Sequence, residues 1–280
     1  MKKIWLVLGI LVCFNVLAWL GVAQINKPYL EVNFFDVGQG DSILIETPQN
    51  QQILIDGGPD TVVLEKLGKE MPFWDRTLDL VVLTHPHSDH INGLLEVLKR
   101  YKVENILWTG MACDSAQCQE WRKLVEEEGA NVFIARAGED IKGSSTLLSV
   151  LYPFTSLEGQ TVADINDASV IMRLVYDGNS FLLTGDASQI IEQKMINGGA
   201  MIDSDVLKAG HHGSKNATSP EFLEAVSPGL AVISAGQDNK YGHPHQETLA
   251  ILEKYGIRTL RTDINNDIKI ICNSQSSKQR

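Results

Sequence analysis

The sequence predicts an α/β fold in which two sheets pack face to face with helices on their outer sides, preceded by an amino-terminal hydrophobic helix. Three observations predict it. Short apolar runs suited to strands alternate with segments of helical spacing along nearly the whole chain. This rhythm runs through twice in succession, without a sequence repeat between the halves. Glycine, proline and Asp-Gly positions mark the breaks between runs. With 280 residues, the chain is long enough to bury a full core as one domain; 44% hydrophobic and 21% charged residues are ordinary for such a protein. A net charge of −11 argues against a broad basic surface for nucleic acid. It leaves room for a local site in which metal ions and a few lysines hold a phosphate.

The elements follow in order. Lys2 and Lys3 precede a mostly apolar run from Ile4 to Ala23. Twenty residues at about 1.5 Å each just cross a bilayer. A cleavable signal core is shorter, about 7 to 15 residues, although Gly21-Val22-Ala23 offers small residues to a peptidase. An uncleaved anchor is the favoured reading, with a cleaved signal as the alternative. Either places the folded domain outside the cytoplasm, because the positive charge lies on the amino side. Residues 1–28 are thus anchor or signal plus a short linker, 29–275 one folded domain, and 276–280 a polar tail.

Strands are expected at Leu30–Phe35, Ser42–Glu46 and Gln52–Ile55, then a helix at Val62–Lys69. The apolar run Leu78–Leu83 is a buried strand, and Ile91–Tyr101 has helical spacing. Asn105–Trp108 reads as a strand and Ser115–Glu128 as a helix closed by Gly129. Cys113 and Cys118 flank a polar turn; outside the cell they form a small local disulfide, with two free thiols as the alternative. Val132–Ala135 and Leu147–Tyr152 are strands, and Ser169–Tyr176 with Ser180–Leu183 makes a hairpin around Asp177-Gly178. Further on come a helix at Gln189–Ile196, a strand at Ser204–Lys208, and a helix opened by Ser219-Pro220-Glu221. A strand at Leu230–Ser234, a helix at Glu247–Tyr255 and a strand at Ile268–Cys272 complete the domain.

The chemistry is concentrated in His85-Pro86-His87-Ser88-Asp89-His90, at the carboxyl end of the buried strand. Side chains two apart in an extended segment point the same way, so His85 and His87 can share one ion. Asp89 and His90, at the helix start, can turn toward a second. Imidazole and carboxylate are ligands that Zn²⁺ and Mn²⁺ accept. One short segment cannot surround two ions, and other loops offer candidates. Asp56 ends a strand in a glycine turn and can orient a ligand histidine. Asp186, in Thr184-Gly185-Asp186, can bridge two cations. His211-His212-Gly213-Ser214 follows another apolar strand; adjacent histidines point in different directions, so one binds metal and the other faces substrate. His243 and His245 can donate to a phosphate or protonate a leaving group.

With these residues in place, the chain resembles a metallo-β-lactamase superfamily member, and within it the extracytoplasmic hydrolase domain of the ComEC competence proteins. The motifs that carry the resemblance are Asp36-Val37-Gly38-Gln39-Gly40-Asp41-Ser42, Ile55-Asp56-Gly57-Gly58, Thr84 through His90, Asn166-Asp167-Ala168-Ser169-Val170, Leu183-Thr184-Gly185-Asp186, His211-His212-Gly213-Ser214 and Tyr241-Gly242-His243-Pro244-His245. They span nearly everything past the amino-terminal segment. The resemblance implies an αββα four-layer sandwich and a dinuclear site for Zn²⁺ or Mn²⁺. His85, His87, Asp89 and His90 match the main ligand motif, Asp186 the bridging carboxylate, the His211-His212 pair the last histidine ligand (assigned here to His212), and Asp56 the first supporting aspartate. Asp36, Asp41, Asn166 and Asp167 are expected to support the ligands from behind. Where relatives in the wider superfamily place a further histidine ligand, this chain has Asn166-Asp167-Ala168-Ser169. That departure favours Mn²⁺ over Zn²⁺ and weighs against β-lactamase activity.

The reaction this implies is metal-dependent phosphodiester hydrolysis outside the cell, with DNA as the substrate by resemblance. Asp89 would accept a proton or orient the nucleophile. His211, Lys208, Ser214 and Lys215 would meet the phosphate, and His243 or His245 would protonate the leaving oxygen. The expected partners are DNA or another phosphodiester, the membrane through the amino-terminal segment, and a separate competence channel, since one helix cannot form a DNA pore. Rival readings are a phosphodiesterase for a small or cell-envelope substrate, another hydrolase of the same fold, and a non-catalytic tethered module.

Overall fold

The computed structural model describes the backbone of residues 2–25 and 29–273 and the side chains of residues 3–16 and 29–273. Lys2–Ile25 is an α-helix, α1, whose described side chains are exposed. Among the described residues no helix is long and apolar enough to cross a membrane. The expected linker at 26–28 and tail at 276–280 lie outside the described residues, as do many side chains of the expected anchor.

Beyond α1 the chain forms two seven-stranded sheets. The first holds β1 (Tyr29–Phe34), β2 (Ile43–Glu46), β3 (Gln52–Ile55), β4 (Thr77–Val82), β5 (Lys102–Trp108) and β6 (Asn131–Ile134). The last strand of the chain, Ile268–Asn273, returns to pair antiparallel with β1. Helices α2 (Val62–Glu70), α3 (Ser88–Leu98) and α4 (Ala116–Glu128) cover its outer face. The second sheet holds β7 (Asp140–Lys142), β8 (Thr146–Tyr152), β9 (Ile171–Tyr176), β10 (Asn179–Leu183), β11 (Val206–Lys208), β12 (Leu230–Ile233) and β13 (Arg258–Arg261). Helices α5 (Gln189–Asn197), α6 (Pro220–Val226) and α7 (Gln246–Lys254) cover that sheet. The result is the expected four-layer αββα order.

Strand alternation produces the layering. Leu80 and Val82 of β4 face the core between the sheets, while Val81 faces the outer helices. Phe181 and Leu183 of β10 join the same central core, and Leu182 points outward. Local signals were placed as the sequence predicts. Ser115 caps α4 by accepting from the Cys118 amide, and Gly129 ends that helix with φ 68°. Asp177 (φ 44°) and Gly178 (φ 83°) form the hairpin turn between β9 and β10. Cys113 and Cys118 are joined by a disulfide.

Two features differ from the expectation. Helix α3 starts at Ser88 with extended His87 as its amino cap, so Asp89 and His90 lie in the first helical turn as expected, but it ends at Leu98 rather than Tyr101. The strands β7 and β13 went unpredicted. Each is an outermost strand with mostly exposed or half-buried residues, so neither carries the alternation that marks a strand with one buried face.

Strands β3, β4, β10, β11 and β12 end on one side of the sandwich, and the candidate residues follow those ends. There α3 is clamped against the turn after β3. The Gly57 amide donates to the His90 carbonyl at 2.8 Å and the Gly93 amide to the Gly58 carbonyl at 3.0 Å. Only glycine permits this approach: a Cβ on Gly93 would lie 1.8 Å from the Gly57 carbonyl oxygen. Gly93→Ala is therefore expected to destabilise the fold by roughly 3 kcal/mol, at the upper end of overpacking costs. Urea denaturation measures it, and an unchanged midpoint would show that α3 can move aside.

Candidate metal centre

The site is built around a carboxylate that is itself held in an unusual backbone. Asp56, directly after β3, has φ 57° and is fully buried. Its Oδ1 accepts from the Thr84 amide at 2.8 Å, and its Oδ2 from the Thr84 hydroxyl at 2.6 Å. Oδ2 also meets His90 Nδ1 at 2.8 Å. Burial pushes this carboxyl up from its usual value, against the pull of His90.

Each buried histidine is fixed through Nδ1, which leaves Nε2 aimed inward. His85 Nδ1 is 3.1 Å from the Thr84 hydroxyl and 3.4 Å from the Ser169 hydroxyl. Because Thr84 Oγ1 donates to Asp56, it accepts from His85, and Asp56 thus orients His85 and His90 together. His212 Nδ1 donates to the Ser234 carbonyl, following β12, at 2.9 Å. The three Nε2 atoms converge on one oxygen, Asp186 Oδ2: 3.2 Å from His212, 3.4 Å from His90 and 3.9 Å from His85. Asp186 is itself set in place by its amide, which donates to Ser169 Oγ at 3.0 Å.

Around this focus, His87 Nδ1 lies 3.2 Å from His85 Nε2, and Asp89 Oδ2 lies 3.4 Å from His212 Nε2. His211 Nε2 is 3.9 Å from Asp186 Oδ2, with its side chain 27% exposed. Both His211 (φ 48°) and His212 (φ 54°) are left-handed, a strained pair that throws adjacent rings apart, one into the floor and one toward solvent. The His243 ring is 5.4 Å from His211, and His245 is 4.8 Å from His243. His245 Nδ1 accepts from the Lys215 amide at 3.2 Å.

The donor set fits divalent cations. The Nε2 atoms of His90 and His212 and Oδ1 of Asp186 are buried without a hydrogen-bond partner. Leaving such atoms unpaired costs about 1–3 kcal/mol each, which ion binding removes. Ligand atoms of His85, His90 and Asp186, and of Asp89, His90 and His212, lie within 4.8 Å of one another. Burial lowers His90 but Asp186 and Asp56 outweigh it and raise it to about 10. Burial raises Asp89 but His212 outweighs it and holds it at about 2. His85, buried and beside His90, is pushed well below the usual histidine range.

Several expected roles change with their positions. Lys208 is fully buried, its Nζ 2.6 Å from Asp41 Oδ2 and 3.2 Å from the Gly185 carbonyl, so it is a charge inside the floor and does not meet substrate. Burial raises Asp41, yet Lys208 and His212 bring it to about 2; its Oδ1 is 3.4 Å from His212 Nδ1, the supporting position expected. Ser214 is buried and its hydroxyl accepts from the Asn216 amide within its own loop. Lys215 is exposed and touches the site only through its backbone. Asp36 accepts from the Gly38 amide at 3.1 Å and so shapes the turn after β1. Asp167 accepts from Ser188, the cap of α5, at 2.5 Å, so it braces the segment after Asp186, whereas Asn166 Oδ1 is buried without a partner. Thr84, Ser169 and the Ser234 carbonyl were not predicted as site groups. Thr84 and Ser169 stand within recognisable motifs, but nothing in the sequence marks a backbone carbonyl.

A family model described as the metallo-beta-lactamase superfamily matches residues 35–237. The chain is 33% identical over 275 residues to ComE operon protein 3 of Bacillus subtilis, covering 92% of this chain and 35% of that protein. It is 31% identical over 248 residues to Competence protein ComA of Neisseria gonorrhoeae, covering 85% of this chain and 32% of the relative. The chain thus spans about a third of the length of these relatives. Among solved structures, the metallo-beta-lactamase fold protein YhfI from Bacillus subtilis superposes with a TM-score of 0.56 at 14% identity, over 86% of this chain and 99% of that one.

The Asp56 arrangement makes a prediction. Asp56→Asn leaves the shape but weakens the hold on His85 and His90, and is expected to reduce affinity for Mn²⁺ or Zn²⁺ by about 10–100-fold. Calorimetric titration of the metal-free protein measures this; unchanged affinity would mean that packing alone orients the rings.

Proposed function

The chain belongs to the metallo-beta-lactamase superfamily, and from that premise we propose that it is an exported, metal-dependent phosphodiesterase whose leading substrate is DNA. One observation carries the reading: three imidazoles, each anchored at Nδ1, turn their Nε2 atoms toward a single buried carboxylate oxygen. Such a set suits two divalent cations, Zn²⁺ or Mn²⁺. His85 and His87 would hold one, Asp89, His90 and His212 the other, with Asp186 shared. When bound, the pair supplies a water of lowered pKa and positive charge facing the phosphoryl oxygens.

The remaining steps belong to the chain's own groups. Asp89, kept ionised by His212 against the effect of burial, accepts a hydrogen bond from the attacking water and orients it. His211 and His243 line the same cavity. Burial, then neighbouring His212, lowers His243 to about 4, so at neutral pH it is an uncharged donor to a phosphoryl oxygen. His245, whose Nδ1 already accepts from the backbone, carries its proton on Nε2 and is the candidate donor to the leaving oxygen.

DNA enters through the relatives, one of which is named a competence protein. The Cys113–Cys118 disulfide and the apolar amino-terminal run support an extracytoplasmic setting, anchored or secreted. A separate channel would then be the partner in DNA uptake. A second reading, a small or cell-envelope phosphodiester, is favoured by the charge of −11.

The test uses the protein purified metal-free and reloaded with Mn²⁺ or Zn²⁺, acting on end-labelled single- and double-stranded DNA. Asp186→Ala is expected to lose cleavage by more than about 100-fold, exceeding the 10–100-fold cost of losing a supporting partner. Cleavage by that variant at the wild-type rate would sink the reading. No cleavage with two equivalents of metal bound would move the substrate to the smaller diesters.

A further inference from the structure

Tyr241 stands beside this centre and takes no part in the steps above. It lines the same cavity as Asp89, Asp186 and His212, yet its side chain is 52% exposed. The loop that carries it is fixed by one residue. Asn239 Oδ1 accepts from the Tyr241 amide at 3.1 Å and the His243 amide at 3.0 Å. Asn239 Nδ2 donates to the Gly236 carbonyl at 2.9 Å and to the His243 carbonyl at 2.5 Å. The backbone that carries this exposed aromatic ring is thus fixed before any ligand arrives, which lowers the ordering cost of binding.

The cavity has a volume of about 230 Å³, below the roughly 300–1,000 Å³ that encloses a whole small ligand. Its floor consists of carboxylates and imidazoles. A substrate therefore places its charged group on the floor and leaves its bulk at the mouth, where the Tyr241 ring lies. That ring is offset from the His243 ring, with centroids 5.8 Å apart and planes 22° from parallel. Lys240 Nζ lies 5.0 Å from the Tyr241 centroid. Lys240 is exposed and solvated, so a flat group can displace it, and its ammonium is then free to meet a neighbouring phosphate.

We propose that Tyr241 is a stacking platform for the nucleobase next to the scissile phosphate, so that the site selects phosphodiesters bearing an unpaired base. The proposal rests on the phosphodiester reading. Every base has a π face, so stacking on one tyrosine is tolerant of sequence. A base inside a duplex is already stacked and must first be drawn out, which favours single strands and frayed ends.

The test measures binding separately from cleavage. The Mn²⁺-reloaded protein is titrated against fluorescein-labelled oligothymidylate with cleavage-resistant phosphorothioate linkages, and against the same backbone with abasic sites, by fluorescence anisotropy. The wild-type protein is expected to bind the base-bearing strand about five- to hundred-fold more tightly, the range of one stacked base. Tyr241→Ala should abolish that preference and Tyr241→Phe should keep it. Equal affinity of the wild-type protein for the two strands, or a preference that survives in Tyr241→Ala, overturns the proposal. Hydrolysis of ordinary DNA without a base preference would strike this proposal alone. A base preference without hydrolysis of DNA would strike DNA as the substrate and leave the stacking surface standing for smaller base-bearing diesters.

Discussion

The buried carboxylate of Asp56 is the constraint on which the rest of the site depends. It has no exposure, sits in a left-handed backbone, and meets Thr84 through both oxygens and His90 through one. Burying a charge is costly unless it is paired and hydrogen-bonded. Here the partners that satisfy it are the groups that must be oriented. Thr84 relays its hold to His85, and His90 receives it directly, so one carboxylate sets two imidazoles. The glycines nearby serve the same end. Gly57 and Gly93 let α3 press against the turn that carries Asp56, which brings Asp89 and His90 to bear from the first helical turn.

A second buried charge mirrors the first. Lys208, at the end of β11, lies between Asp41 and the carbonyl of Gly185, with Asp186 Oδ1 3.9 Å away. An ammonium without exposure would be untenable among imidazoles alone. With Asp41 beside it, it offsets the carboxylates that gather under the site. The floor is therefore a balanced set of opposite charges rather than a row of ligands.

Much of this was legible in the sequence, for definable reasons. The sheet strands with two buried faces, such as Leu78–Leu83, announce themselves as apolar runs, and the helix ends at Ser115, Gly129 and Ser219 carry local capping chemistry. The outer strands β7 and β13 do not, because a strand with one neighbour and much solvent has no apolar period to show. In the site, His85 to His90 could be read as one cluster since its members are adjacent. Lys208 could not be placed: a lysine after an apolar strand reads the same whether its ammonium meets solvent or a buried aspartate far away in sequence. Ser234 contributes only its carbonyl, which every residue has.

One feature of the architecture reaches beyond chemistry. Asp56, His85, His87, Asp89 and His90 follow strands of the first sheet, while Asp186 and His212 follow strands of the second. The cluster therefore lies on the seam of the sandwich, and cations held there would act as rivets between its two halves. Anything that binds the folded state alone raises its stability. The working lifetime of this protein would then be set by the supply of metal around it, and a scavenger of those ions would loosen the two layers from each other as well as silence the site.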